Sequence, residues 1–252
     1  MNISAYLKRI GFTGTPKPDF TTLCALQSLH LKAIPYENLD IMRGVPLSLK
    51  VEDIYEKIIV RNRGGYCFEL NALFAWLLRS LGFKVTDYMA RFLKDEPEIP
   101  MRRHHVLDVV CQGQRYLCDV GVGLVIPRKP IPLVTGHISE QNGEKYLLKK
   151  DDFLGHVLCE WHSNSWRELY AFTEEPQLDK DFIAPSFYCE KHPESFFRTM
   201  DMVHIFTDTG RKSVAGRELK LFSPAGVEVI KPTTQDAYHK LLEEHFSIHP
   251  DR

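Results

Sequence analysis

The segment Arg63-Gly64-Gly65-Tyr66-Cys67-Phe68-Glu69-Leu70-Asn71 places a cysteine directly ahead of an apolar helical pattern. Leu70, Phe74, Leu77, Leu78 and Leu81 recur at the spacing of one buried helix face, and Gly82 follows as a left-handed stop. Cys67 is therefore expected in the first turn of a helix, where unpaired N–H groups and the positive end of the dipole favour a thiolate over a thiol. Gly64 and Gly65 let a second backbone or a ligand approach closely, as attack on a bulky thioester requires. A cysteine at a helix start also serves as a small hydrophobe, so a base is needed before the sulfur counts as a nucleophile.

One stretch offers that base. His104-His105-Val106-Leu107-Asp108-Val109-Val110-Cys111, then Gln112-Gly113, then residues 114–119 ending at Asp119, reads as a β-hairpin. A two-residue turn pairs Cys111 with Gln114, sets His104 opposite Gly121 and diagonal to Asp119 on one face, and turns His105 to the other. A three-residue loop would exchange the two histidines, because a slip of one residue flips every side chain. Pattern alone therefore leaves His105 open as the alternative. The histidines together with Cys111 and Cys118 fit no structural zinc spacing, and no metal is expected.

With these residues in view, the sequence resembles the arylamine N-acetyltransferase family over most of its length. The family's marks stand at Arg9-Ile-Gly-Phe12, Pro35-Tyr-Glu-Asn-Leu39, the Arg63 to Asn71 segment, Leu81-Gly-Phe83, Ala90-Arg91 and Asp119-Val-Gly-Val-Gly123. After Leu133 the agreement thins to Asp181-Phe182, the run from His192 to Phe197, and Gly210-Arg211 to Gly216. The resemblance implies a Cys-His-Asp triad: Cys67, Asp119, and the histidine fifteen positions before that aspartate, which is His104. It implies acetyl-CoA as acyl donor, coenzyme A as leaving product, and arylamines, with arylhydrazines or arylhydroxylamines, as acceptors in xenobiotic metabolism. The route implied is ping-pong, through an acetyl-cysteine thioester.

Phe68, Arg103, Val122 and Gly123 are the expected substrate-binding residues, although for Arg103 an exposed loop position is the commoner alternative. The family commonly carries Phe where this chain has Val122, so a wider acceptor pocket is expected. Glu37, Asn38 and Arg63 are expected to form a buried ion-pair and hydrogen-bond group beneath the site. Lys191, Arg198, Arg211, Lys212, Arg217 and Lys220 are candidates for coenzyme A phosphates, against the alternative of a solvated face. A hydrolase or amide synthase using the same triad, or a binding protein on the same scaffold, are the rival functions. A binding protein would be marked by a lost triad member, and none is lost.

The elements that must position this chemistry follow from periodicity. Residues 4–82 carry mainly helical spacing, as in Val51, Ile54, Tyr55, Ile58 and Ile59, with turns at residues 11–18, Pro35 and Gly44-Val-Pro46. From residue 83 the pattern becomes β-rich, with strands expected at 83–92, 106–111, 116–120, 145–148 and 157–161. Pro127, Pro130 and Pro132 suit a long irregular connection. Further strands are expected at 202–207, 217–222 and 227–230, then a helix over 234–245 capped by Thr233 or Thr234. The order helical, β-rich, mixed agrees with the α+β fold that the resemblance implies: an N-terminal helical bundle (1–83), a middle β-barrel (84–190) and a C-terminal α/β lid (191–252), with a papain-like placement of the triad.

Composition narrows the partners. A formal charge of −1 and a pI near 6.8 give no basic field for nucleic acid or anionic membrane. No apolar stretch is long enough to span a bilayer and the N-terminus has no signal pattern, so a cytoplasmic protein is expected. There, the six cysteines are expected as free thiols.

Overall fold

The computed structural model describes residues 1–123 and 125–249. Its first third is helical: α1 (Ile3–Arg9), α2 (Phe20–Ala33), α3 (Leu39–Met42), α4 (Val51–Tyr55) and α5 (Cys67–Ser80). The expected helical run through Ile59 changes type after α4, where Glu56–Val60 form a π-helical turn. Helix α5 ends as its sequence requires, with Gly82 at φ +89° receiving the chain beyond the last turn. One short strand, β1 (Tyr36–Glu37), lies inside this helical third.

The middle of the chain builds an eight-stranded sheet from β2 (Lys84–Phe92), β3 (His104–Cys111), β4 (Gln114–Cys118), β5 (Ile131–Pro132), β6 (Ile138–Gln141), β7 (Glu144–Asp151), β8 (Gly155–His162) and β9 (Ser165–Phe172). Strand order is β5-β4-β3-β2-β9-β8-β7-β6, which leaves β5 and β6 at opposite edges although only residues 133–137 separate them. That short connection binds both sides: Leu133 N–H donates to Arg115 O of β4, and Gly136 N–H to Leu148 O of β7. The sheet curls into a near-barrel as a result. The proline-rich connection is less irregular than expected, because Ile131–Pro132 pairs with β4, at an edge where a missing N–H is tolerated.

Helix α6 (Ile183–Lys191) leads to the second sheet, formed by β10 (Met202–Phe206), β11 (Arg211–Ala215), β12 (Glu218–Ser223) and β13 (Gly226–Ile230). Helix α7 (Gln235–Phe246) follows, its N-cap Thr234 accepting from Ala237 N–H at 3.1 Å. β1 joins this second sheet beside β10, with Tyr36 opposite His204 and Glu37 opposite Val203. The protein is thus α+β, with a helical start, a barrel-like middle and a C-terminal sheet with helices.

The main core joins α1, α2, α4 and α5 to the inner face of the near-barrel, through residues such as Tyr6, Leu23, Leu26, Phe74, Val106 and Tyr170. A second core, including Leu39, Val203 and Leu242, fills the space between the C-terminal sheet and α7. A third surrounds the start of α5: Ile41, Tyr66, Cys67, Phe68, Met89, Phe182 and Cys189.

Candidate active site

Cys67 is the first residue of α5, with Tyr66 in extended conformation as N-cap, and it is buried. The turn that sets the opposite wall is the two-residue one: Gln112 and Gly113 both have positive φ, and Cys111 pairs with Gln114. The ladder runs on to Leu107 opposite Cys118 and stops. Beyond it the expected His104–Gly121 pairing does not form, because residues 119–121 leave the sheet and lie over α5 instead. A β-carbon at Gly121 would stand 2.7 Å from Cys67 Cα and 2.6 Å from Asn71 Nδ2, so no larger residue fits there without displacement.

His104 and Asp119 nevertheless meet on one face. His104 Nε2 lies 2.6 Å from Asp119 Oδ2, and both groups are buried. Asp119 Oδ1 accepts two further bonds, from Asn71 Nδ2 and from Gly121 N–H, each 2.8 Å. Asn71 sits one helical turn after Cys67; its Oδ1 accepts Val120 N–H at 3.0 Å, and its Nδ2 also reaches His105 O at 2.7 Å. One amide therefore fastens the helix that begins at Cys67 to the loop bearing Asp119 and to the strand bearing the two histidines. The sequence reading quoted Asn71 within the motif without giving it this part. Its position four residues after the cysteine, on the same helix face, was the available signal.

The main chain before His104 packs on the sulfur: Cys67 Sγ is 3.8 Å from Arg103 O. With Nε2 committed to Asp119, Nδ1 is the ring nitrogen of His104 left for another partner. His105 points away from this group. Its Nε2 bonds Asp87 Oδ1 at 2.9 Å and its ring packs on Phe182, centroids 4.2 Å apart.

Burial pushes the Cys67 thiol well above its ordinary range, and the neighbouring Cys189 and Asp119 add to the rise. The backbone N–H groups of His105 and Phe68 pull the other way, less strongly. Desolvation thus outweighs these N–H groups, against the expectation that the helix start favours a thiolate.

The expected binding residues fall in different surroundings. Phe68 is fully buried, edge-on to Tyr66 at 5.4 Å and tilted against Phe182 at 5.7 Å. The Arg103 guanidinium pairs with Glu96. Val122 packs into the main core, whereas Phe68 belongs to the cluster around Cys67. Gly123 lies flat on the Tyr36 ring, where a β-carbon would approach Cδ1 to 2.8 Å.

Beneath the site, Arg63 pairs with Glu37 at 2.8 Å and with Asp40 at 2.9 Å, as part of a larger group than expected. Asn38 stands outside it and latches the C-terminal region, bonding Phe197 O, Met200 O and Met202 N–H. The basic candidates have partners within the chain: Lys191 with Glu190, Arg198 with Lys191 O, Lys212 with His245 O, Lys220 with Glu218. Arg211 and Arg217 lie over the rings of Phe222 and Tyr238.

This architecture is shared with known proteins. A family model described as N-acetyltransferase matches residues 19–252. An arylamine N-acetyltransferase of Mycolicibacterium smegmatis is 37% identical over 239 residues, covering 92% of this chain and 86% of that protein. Human arylamine N-acetyltransferase 1 is 28% identical over 276 residues, covering 98% and 94%. Among solved structures, Mycobacterium marinum arylamine N-acetyltransferase in complex with CoA superposes with a TM-score of 0.91 at 34% identity, covering 98% of this chain and 93% of that one. The Salmonella typhimurium enzyme superposes with a TM-score of 0.94 at 26% identity, covering 98% and 91%. By its sequence and its fold, this chain belongs to the arylamine N-acetyltransferase family and is an acetyltransferase.

Proposed function

We propose that this protein transfers the acetyl group of acetyl-CoA to the nitrogen of arylamines, and of arylhydrazines or arylhydroxylamines, through an acetyl thioester on Cys67. The observation that carries the reading is the His104–Asp119 contact at 2.6 Å, held in line with the start of α5 by Asn71. His104 Nδ1 takes the thiol proton, and the sulfur attacks the thioester carbonyl carbon. The tetrahedral adduct collapses with loss of the coenzyme A thiolate, which the imidazolium protonates. The amine then attacks acetyl-Cys67, gives its proton to His104, and the Cys67 thiolate leaves. Asp119 holds the ring in the tautomer with Nε2–H and stabilises the imidazolium.

Phe68, Arg103, Val122 and Gly123 are the proposed surroundings of the acceptor, and residues 1–83, 84–190 and 191–252 the proposed structural divisions. A cytoplasmic setting fits the reading; among the described residues no helix is long and apolar enough to cross a membrane.

Because the covalent intermediate separates the two substrates in time, initial rates varied in both should give parallel double-reciprocal lines, with a burst of free coenzyme A before the amine is added. Intersecting lines with no burst would mean direct transfer in a ternary complex.

A further inference from the structure

Glu69 occupies the third position of α5, two residues after Cys67, and is almost completely buried. Its Oε2 accepts the N–H of Tyr66, the residue before the nucleophile, at 3.1 Å. The Tyr66 hydroxyl is occupied elsewhere, with Ser186, so the Glu69 carboxylate alone caps this helix start from the side chain. Gly65 accommodates it: a β-carbon there would stand 3.0 Å from Glu69 Oε2.

A buried carboxylate that caps the residue before Cys67 opposes a thiolate in the same turn by like-charge repulsion. Lys57 answers that charge. Its ammonium lies 2.8 Å from Glu69 Oε1 and 2.8 Å from Asp40 Oδ2, and is itself buried. The π turn presents Lys57 to both carboxylates, and its carbonyl accepts Arg63 N–H at 3.1 Å, which ties the turn to the glycine segment. Among the described residues, ion pairs join Lys57 to Glu69 and Asp40 and join Arg63 to Glu37 and Asp40, so loss of Lys57 leaves the Glu69 carboxylate without its ion pair at the start of α5.

We propose that Lys57 is a positioning residue for the nucleophile: by pairing with Glu69 it fixes the first turn of α5 and cancels the negative charge beside the Cys67 thiolate. The inference rests on Cys67 being the acetyl carrier. It concerns the local field, so every charged or titratable group facing the pair counts. Among the described residues, Asp119, Cys189, Tyr36 and Tyr66 act on Cys67, with His104 bonded to Asp119 and Arg103 facing Tyr36 and Cys189; Lys57 and Glu37 act on Glu69, with Asp40 and Arg63 one ion pair further out.

The test is the pH profile of Cys67 alkylation by iodoacetamide in the full-length protein without acetyl-CoA, read by mass spectrometry of the Cys67 peptide. Lys57→Met should move the midpoint up by about 0.5–1 unit, slowing alkylation at neutral pH about three- to tenfold. Lys57→Arg should stay near wild type. Glu69→Gln keeps an acceptor for Tyr66 N–H but removes the charge, so its midpoint should lie at or below that of wild type. The double variant Lys57→Met/Glu69→Gln should return toward wild type.

A Glu69→Gln profile shifted upward would show that the pair serves only to hold the fold, and would overturn the proposal even if Lys57→Met does not fold. Coincident profiles for wild type and a folded Lys57→Met would overturn it equally. Failure of the underlying reading looks different: wild-type Cys67 then takes up no acetyl group from acetyl-CoA, whatever stands at position 57.

Discussion

At the scale of single residues, the proposed reading makes the Cys67 thiol and the His104 imidazole energetically interdependent. Cys67 is buried, so its thiolate needs a counter-charge, and the N–H groups around it are too weak to supply one. Removing His104 therefore does more than remove a proton acceptor. In His104→Gln, iodoacetamide should alkylate Cys67 only above the pH of an ordinary thiol, about 8.5, because burial then acts without opposition. In His105→Gln the profile should stay close to wild type, since His105 faces Asp87 and Phe182; a moderate loss of stability is the expected cost. An upward shift in His105→Gln with none in His104→Gln would require the triad to be rewritten around His105.

At the scale of elements, the site depends on a loop lying against a helix. Gly121 is the tightest point, with Cys67 Cα and Asn71 Nδ2 both inside contact distance of any added β-carbon. Gly121→Ala should therefore push Asp119 and its loop off the helix, and kcat/KM should fall by about 100-fold, since a displacement near 1 Å is enough for that. Thermal unfolding in parallel with initial rates checks it; unchanged kcat/KM would show that the loop can relax without disturbing His104.

How far the sequence could be read also divides by element. The β3–β4 register was only half legible: Gly113 suits a two-residue turn, but Gln112 is not a residue that favours the positive φ it adopts, so the choice of His104 over His105 leaned on the resemblance. Helix α5 was legible from a strict apolar stripe and Gly82. Helix α6 was not, because it leaves Ile183 and Phe187 exposed and so carries no clear stripe. The short strands β1 and β5 were missed because two residues have no period. The Lys57–Glu69 pair was hidden because the π turn sets side-chain direction there, and helical spacing does not report it.

At the scale of the whole molecule, three parts of the chain close around one cysteine. The helical third contributes Cys67 and Asn71, the near-barrel His104 and Asp119, and the C-terminal part is stitched back through β1 beside β10 and through Asn38. A long-range arrangement of this kind leaves little trace in local sequence, and it was legible only through family resemblance. The most direct test of the account is intact-protein mass spectrometry. Incubation with acetyl-CoA alone should add one acetyl group, which peptide mapping places on Cys67; Cys67→Ala should add none, and an aromatic amine should return wild type to its starting mass while acetylated amine appears. An acetyl adduct that persists in Cys67→Ala, or one that the amine does not discharge, would contradict it.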